Sequence, residues 1–289
     1  MLRPLFISLR PQQWIKNLFL FAPLIFAKHL HETQEIISVL QGFFVFCLLS
    51  SGAYLINDVA DKEQDKLHPE KQKRPIALGT LSSTVAIIIA GVFIVAALIW
   101  GMSLQLQFGT IAVSYFVLNI LYSWKIKHVV ILDVMFIAFG FVLRVIGGAA
   151  LINVPASEWL LICTFLLSLF LGFVKRRNEI TTLQSVAESH RKVLVDYSVS
   201  FLDQMVSIVT ACTVISYALY TISSETIQKF HTRNLIFTIP FVLFGIFRYL
   251  YIVHKLGGGG NPSKVIVTDV PLILNIMMWG ISVVYIIYF

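Results

Sequence analysis

Asn57, Asp58, Asp61 and Asp65 fall within the run Asn57-Asp58-Val59-Ala60-Asp61-Lys62-Glu63-Gln64-Asp65. If the segment is helical, Asp58, Asp61 and Asp65 share one face, and Asn57 joins Asp61 one turn away. Carboxylates that close repel unless a cation gathers them. Hard oxygen ligands of this kind suit Mg2+, which takes one or two carboxylates and completes its shell with waters and phosphate oxygens. A solvated acidic helix end, neutralised by Lys62 and Lys66, has the same spacing. Lys71, Lys73 and Arg74 follow before Pro75, so a basic strip is covalently joined to the acidic one. Diphosphate binding requires both, although lysines and arginines here also act as a topology signal.

A second polar stretch opens with Lys175-Arg176-Arg177-Asn178-Glu179 and runs through His190-Arg191-Lys192 to Asp196, Tyr197, Ser198 and Asp203. Arginine forks match phosphate oxygens bidentately, so this density suggests a phosphate pocket, and Asp196 with Asp203 offers a second metal contact. Arg144 lies inside an apolar run beside Gly147 and Gly148. A charge there is expensive unless it faces a polar cavity, which makes it a binding candidate, with snorkelling as the alternative and Asp133 as a possible partner. The two glycines permit close helix approach. Gly257 to Gly260, with Asn261, Pro262, Ser263 and Lys264, either presents backbone N–H groups to phosphate or serves as a linker. HExxH, GxSxG and CxxC do not occur in the chain, which excludes zinc proteases, α/β-hydrolases and thiol redox enzymes. Cys47, Cys163 and Cys212 read as buried hydrophobes, and the seven histidines as structural.

The elements that must position these groups are membrane helices. The chain has 289 residues, 57% hydrophobic and only 13% charged, with a mean hydropathy of +0.83, where soluble domains carry roughly a quarter charged residues. Apolar runs at about 17–29, 36–56, 84–101, 105–124, 129–152, 158–174, 201–223, 234–253 and 268–289 predict nine spans, the first short and containing Pro23. With the N-terminus cytoplasmic, seventeen of the 22 Lys and Arg residues fall in cytoplasmic segments, whereas Lys28, Lys229 and Arg233 fall outside. An even number of spans would destroy this partition. The aspartates and both basic stretches then share the cytoplasmic face. The net charge of +7 follows from these loops and from anionic headgroups rather than from nucleic-acid binding. No cleavable signal peptide is visible, since the N-terminal stretch leads into a span without a small-residue cleavage site.

Nine spans with N-D-x-x-D-x-x-x-D after the second resemble the UbiA superfamily of intramembrane prenyltransferases over essentially the whole chain, read as one domain, 1–289. Arg10-Pro11-Gln12-Gln13-Trp14-Ile15-Lys16-Asn17, Lys175 to Glu179, Tyr197-Ser198 with Phe201-Leu202, and Gly257 to Lys264 look like its decaprenyl-phosphate phosphoribosyltransferase branch. The resemblance implies an all-α integral membrane fold, nine transmembrane helices around a lipid-accessible cavity with cytoplasmic active-site loops. Asn57, Asp58 and Asp61 carry over as catalytic, and Asp58, Asp61, Asp65 and Asp196 as Mg2+ contacts. Lys16, Lys73, Arg74, Arg144, Lys175, Arg176, Arg177, Glu179, Arg191 and Tyr197 are the candidate substrate contacts. The implied reaction moves 5-phosphoribose from 5-phosphoribosyl diphosphate to a polyprenyl phosphate in the cytoplasmic membrane. Transfer of a prenyl group to an aromatic acceptor is the alternative. Many aromatic prenyltransferases of the superfamily carry a second D-x-x-x-D, a spacing that Asp196 and Asp203 do not reproduce. A transporter would require polar residues along several spans.

Overall fold

The computed structural model describes residues 2–67, 71–182, 194, 196–255 and 262–289, and its regular elements are all helical. Besides short 3-10 helices at Lys71–Lys73, Ile126–His128 and Asn234–Thr238, these are in chain order α1 (Leu2–Leu9), a 3-10 helix (Pro11–Phe21), α2 (Ala22–Phe26), α3 (Thr33–Ala60), α4 (Lys62–Leu67), α5 (Ser83–Leu104), α6 (Leu106–Trp124), α7 (Leu132–Leu151), α8 (Glu158–Thr182), α9 (Val199–Ile222), α10 (Ser224–Phe230), α11 (Ile239–Lys255), α12 (Pro262–Thr268) and α13 (Val270–Tyr288). Among the described residues, eight helical stretches are long and apolar enough to cross a bilayer: α3, α5, α6, α7, α8, α9, Asn234–Lys255 and α13. The chain is an integral membrane protein. In hydrocarbon every backbone N–H and C=O must be satisfied within its own helix, so runs of this length are obliged to be helical.

The first expected span, 17–29, is not one such helix. Pro11 and Pro23 remove backbone donors, and the segment forms the 3-10 helix followed by the single short α2. It nevertheless runs antiparallel to α3 along much of its length. The Trp14 indole donates to Ser51 Oγ at 3.0 Å, Asn17 Nδ2 to Cys47 Sγ at 3.3 Å, and the Phe21 ring meets Phe43 at 6.0 Å. The segment is therefore irregular helix packed along α3, the setting in which irregular backbone is tolerated at membrane depth, and it is not among the eight membrane-crossing helices of the described residues. Its far end meets the end of the chain, where Tyr288 donates to the Ile25 carbonyl and accepts from the Leu30 N–H, both at 3.1 Å.

The expected close approach at the glycines is present. Gly148 lies so near the 3-10 helix that a Cβ there would stand 2.0 Å from the Leu20 carbonyl oxygen. One core joins α3, α5, α6, the 3-10 helix and the far end of α7 around Phe46, Phe108 and Tyr115. A second joins α7, α8, α9 and α11 around Phe170, Phe173 and Tyr249. Ile87, Ile88, Val92, Val95 and Ile99 of α5 face outward, toward lipid. Asp58 at the end of α3, Lys127 between α6 and α7, Asp133 at the start of α7, Arg176 and Arg177 near the end of α8, and Asp203 near the start of α9 lie, with Arg10, at one end of the bundle.

Candidate functional site

The acidic run does not continue as one helix. α3 ends at Ala60, Asp61 serves as its C-cap with φ −94° and ψ 8°, and the short α4 begins again at Lys62. The break sends the three carboxylates to different partners. Arg74 NH1 reaches Asp58 Oδ1 at 3.0 Å and Asp65 Oδ2 at 2.6 Å, Arg10 also pairs with Asp58, and Lys127 Nζ donates to Asp61 Oδ1 at 2.7 Å. Asp58 and Asp65 are buried. Three basic side chains thus supply the positive charge that the sequence spacing demands. No group of three metal-ligating acidic, histidine or cysteine side chains assembles among the described residues. Asn57 Oδ1, in the residue next to Asp58, is buried and has no hydrogen-bond partner among the described residues. A buried, orphaned hard oxygen next in sequence to a buried carboxylate fits a divalent cation in chemistry.

Across the bundle, Arg176 is 1% exposed and binds Asp133 Oδ2 through Nε at 2.6 Å, with its NH1 on Glu179 Oε2 at 2.6 Å. Asp133, fully buried, also accepts from the Tyr197 hydroxyl at 2.8 Å, and that hydroxyl in turn accepts the Ile131 N–H at 2.6 Å. Burial raises the Tyr197 phenol pKa, so it remains the protonated donor that Asp133 requires. Ile131 adopts φ 69° and ψ −48°, with Leu132 N bonded to the Val130 carbonyl, a tight γ-turn that strains a β-branched residue. Arg177 pairs with Asp203 at 2.5 Å, and Lys175 lies 3.8 Å from Glu179.

Asp133 therefore belongs to Arg176 and not to Arg144, the pairing that the sequence suggested. Arg144 points back toward the start of its helix. Its Nε donates to Asn17 Oδ1 at 2.8 Å, NH1 to the Gly140 carbonyl at 2.9 Å and NH2 to the Tyr115 hydroxyl at 2.8 Å. It is 5% exposed, so it is buried rather than snorkelling, and its guanidinium lies over Tyr115, Phe141 and Phe46. Half-buried Lys16 lies within electrostatic reach of Arg144, Arg10 and Lys175.

Asp196 and Lys73 are exposed and do not join these clusters. Arg191 and Gly257 to Asn261 lie outside the described residues; beyond them α12 joins the site end, with the Ser263 hydroxyl 3.3 Å from Gln13 Oε1. Sequence reasoning missed Arg10 and Lys127 as partners of the aspartates, because each looked like a topology charge. It also missed Tyr54, over which Arg10 stacks at 4.9 Å. A laterally open groove of about 510 Å3 adjoins the second cluster at Asp203, the partner of Arg177, and is lined further by Val206, Thr210, Val214, Leu243, Phe247 and His254 of α9 and α11.

The UbiA prenyltransferase family matches residues 18–259. The chain belongs to this family. It is an enzyme, a membrane-embedded transferase. Similar curated proteins include the decaprenyl-phosphate phosphoribosyltransferases of Mycolicibacterium smegmatis, 30% identical over 98% of this chain and 92% of that protein, and of Corynebacterium glutamicum, 32% identical over 97% and 86%. Among solved structures, a UbiA homolog from Archaeoglobus fulgidus bound to GPP and Mg2+ superposes with a TM-score of 0.74 over 99% of this chain and all of that one, at 17% identity. A digeranylgeranylglyceryl phosphate synthase does so with 0.67 at 16% identity. The fold expected from sequence is the one found. The metal in the first of these structures is consistent with divalent-metal use in the family.

Proposed function

We propose that this single domain, 1–289, transfers 5-phosphoribose from 5-phosphoribosyl diphosphate to a polyprenyl phosphate and releases diphosphate, with the site on the cytoplasmic face of the cytoplasmic membrane. The observation that carries the reading is the distribution of charge. Beyond the cations engaged with Asp58, Asp61 and Asp65, the chain holds Lys16 and, deeper in the bundle, Arg144, neither with a carboxylate contact among the described residues, and Lys175, whose Glu179 at 3.8 Å is shared with Arg176. A prenyl diphosphate and an aromatic acid bring one diphosphate and one carboxylate. A sugar phosphate diphosphate and a lipid phosphate bring two further phosphate monoesters, which accounts for the surplus. The near-full-length likeness to the two phosphoribosyltransferases points the same way.

Asn57, Asp58, Asp61 and Asp65 are the groups that would hold Mg2+, which when bound neutralises charge on the leaving diphosphate. Arg74, Arg10 and Lys127 bracket these carboxylates, and Lys73 lies on the same loop, so the chain already supplies donors for diphosphate oxygens there. Lys175, with Arg191 further along the sequence, binds the 5-phosphate of the donor. Arg176, Arg177 and Glu179 fix the wall from which Lys175 projects, and Tyr197 holds Asp133. An oxygen of the acceptor phosphate bonds to ribose C1 as the C1–O bond to diphosphate breaks, and the electron pair leaves with diphosphate. The nucleophile is already an anion, so no general base is required.

The test is incubation of purified protein with Mg2+, polyprenyl phosphate and ribose-labelled 5-phosphoribosyl diphosphate. Label is expected to enter the lipid phase in step with diphosphate release. A protein that ignores this donor and instead moves a prenyl group from geranyl or longer diphosphates to an aromatic acid refutes the reading.

A further inference from the structure

Arg144 brings a full charge into the bundle interior and meets only neutral acceptors there. Its guanidinium has five N–H donors, of which Asn17, the Gly140 carbonyl and Tyr115 take three. Two remain. The environment fixes its position: Asn17 is fully buried and its amide orientation is set by donation to Cys47 Sγ and Ser50 Oγ, and three aromatic rings surround the guanidinium. A rigid cation with donors to spare and no carboxylate among the described residues is costly in hydrocarbon unless an anion completes it. Lys16, without a hydrogen bond or ion pair to any described residue, is the neighbouring charge.

Depth decides which anion. Gly140, at whose level the guanidinium lies, is seven residues beyond Asp133, roughly 10 Å further into the bundle at 1.5 Å per residue. Tyr54, within electrostatic reach of both Arg144 and Arg10, lies one turn inward of Asp58. The aspartate mouth and the Arg144 seat are therefore separated along the bundle axis. A transfer reaction has two anionic groups that must be held apart on different sides of the ribose, the leaving diphosphate and the attacking phosphate. The outer, carboxylate-lined position suits the diphosphate. The inner one, walled by Phe46, Phe141 and Tyr115, suits an anion that carries an apolar chain.

We propose that Arg144 and Lys16 form the seat of the lipid acceptor's phosphate, with Asn17 and Tyr115 as positioning residues that orient the guanidinium. The assignment rests on the transfer reading above and adds to it where the acceptor binds.

The test measures equilibrium binding to the full chain in nanodiscs, without donor, of farnesyl phosphate, farnesol and inorganic phosphate, using wild type, Arg144→Gln and Lys16→Gln. Farnesyl phosphate is expected to bind wild type at least about tenfold more tightly than either control. Each variant is expected to weaken it by roughly tenfold or more, the loss of a charge-assisted contact. Affinity for 5-phosphoribosyl diphosphate with Mg2+ stays within about twofold. Lys16→Gln, at a half-buried position, keeps the test decisive if Arg144→Gln fails to fold. Unchanged farnesyl phosphate binding in Lys16→Gln, a loss of donor affinity instead, or inorganic phosphate binding as tightly as the lipid overturns the assignment. Wild type that binds farnesyl phosphate through these residues yet never transfers phosphoribose refutes the transfer reading and leaves the seat standing.

Discussion

Replacing Asp133 by Asn removes one negative charge at a fully buried position and leaves Arg176, 1% exposed, with Glu179 as its remaining carboxylate. Asp133 accepts two hydrogen bonds, one on each oxygen, from Arg176 at 2.6 Å and from Tyr197 at 2.8 Å. An amide offers one acceptor and turns an NH2 toward a donor, so one of these bonds becomes a clash of donors. Breaking a buried pair from one side costs about 3–5 kcal/mol, and Glu179 at 2.6 Å places the expectation near the lower end, about 3 kcal/mol. At roughly 2 °C per kcal/mol for a chain of this size, Tm falls by about 6 °C. Thermal unfolding in detergent, followed by intrinsic fluorescence, measures it. In a double-mutant cycle, Arg176→Gln should cost far less in the Asp133→Asn background than alone, with a coupling energy above about 1 kcal/mol. An Asp133→Asn protein with unchanged Tm, together with an Arg176→Ala protein that is fully stable but has a raised KM for 5-phosphoribosyl diphosphate, would show that Arg176 is a substrate contact and that the pairing argument is wrong.

Asp58→Asn and Asp61→Asn should each abolish turnover while the protein stays folded, and excess EDTA should do the same; full activity in either variant or in chelator sinks the metal assignment. Cysteines introduced at Gln64 and at His231, on a background lacking the three native ones, should label from the cytoplasmic and the outer side respectively, and the reverse result refutes the topology. Asp269 caps α13 at Leu272 N and pairs with Arg248, whose hydrogen bond holds its carboxyl below the usual carboxylate range. Because the folded pKa is depressed, this contribution is present above about pH 4 and fades as pH falls through the folded value. The Tm difference between wild type and Asp269→Asn should therefore shrink on acidification, and a gap that widens contradicts it.

The helices were legible because length and hydropathy leave a membrane chain little choice, and eight of the nine runs matched a helix to within a few residues at most boundaries. The first run was legible as apolar chain, but it is not one of the eight membrane-crossing helices and its form was not legible. Asn17 and Pro23 are polar or donor-poor residues that lipid would not accept, and only burial against α3 and α7 makes them tolerable. Composition cannot report such burial. The aspartates were legible as a cluster, whereas their partners were not. Spacing on an ideal helix puts Asp58, Asp61 and Asp65 on one face, yet a single break at Asp61 sends one of them to Lys127, 66 residues away, and the other two to Arg74. The same limit explains the arginines. Arg176 and Arg177 are adjacent in a basic run and looked equivalent to Lys175, but helix geometry turns Arg176 inward to Asp133 and Arg177 toward Asp203. Basic density in the sequence thus marks where cations emerge from the bundle. Which of them remain available to a ligand depends on the carboxylates that the fold brings opposite. By that criterion the charges most available for phosphate are Lys16, a single lysine before an asparagine, and Arg144, a single arginine in an apolar span.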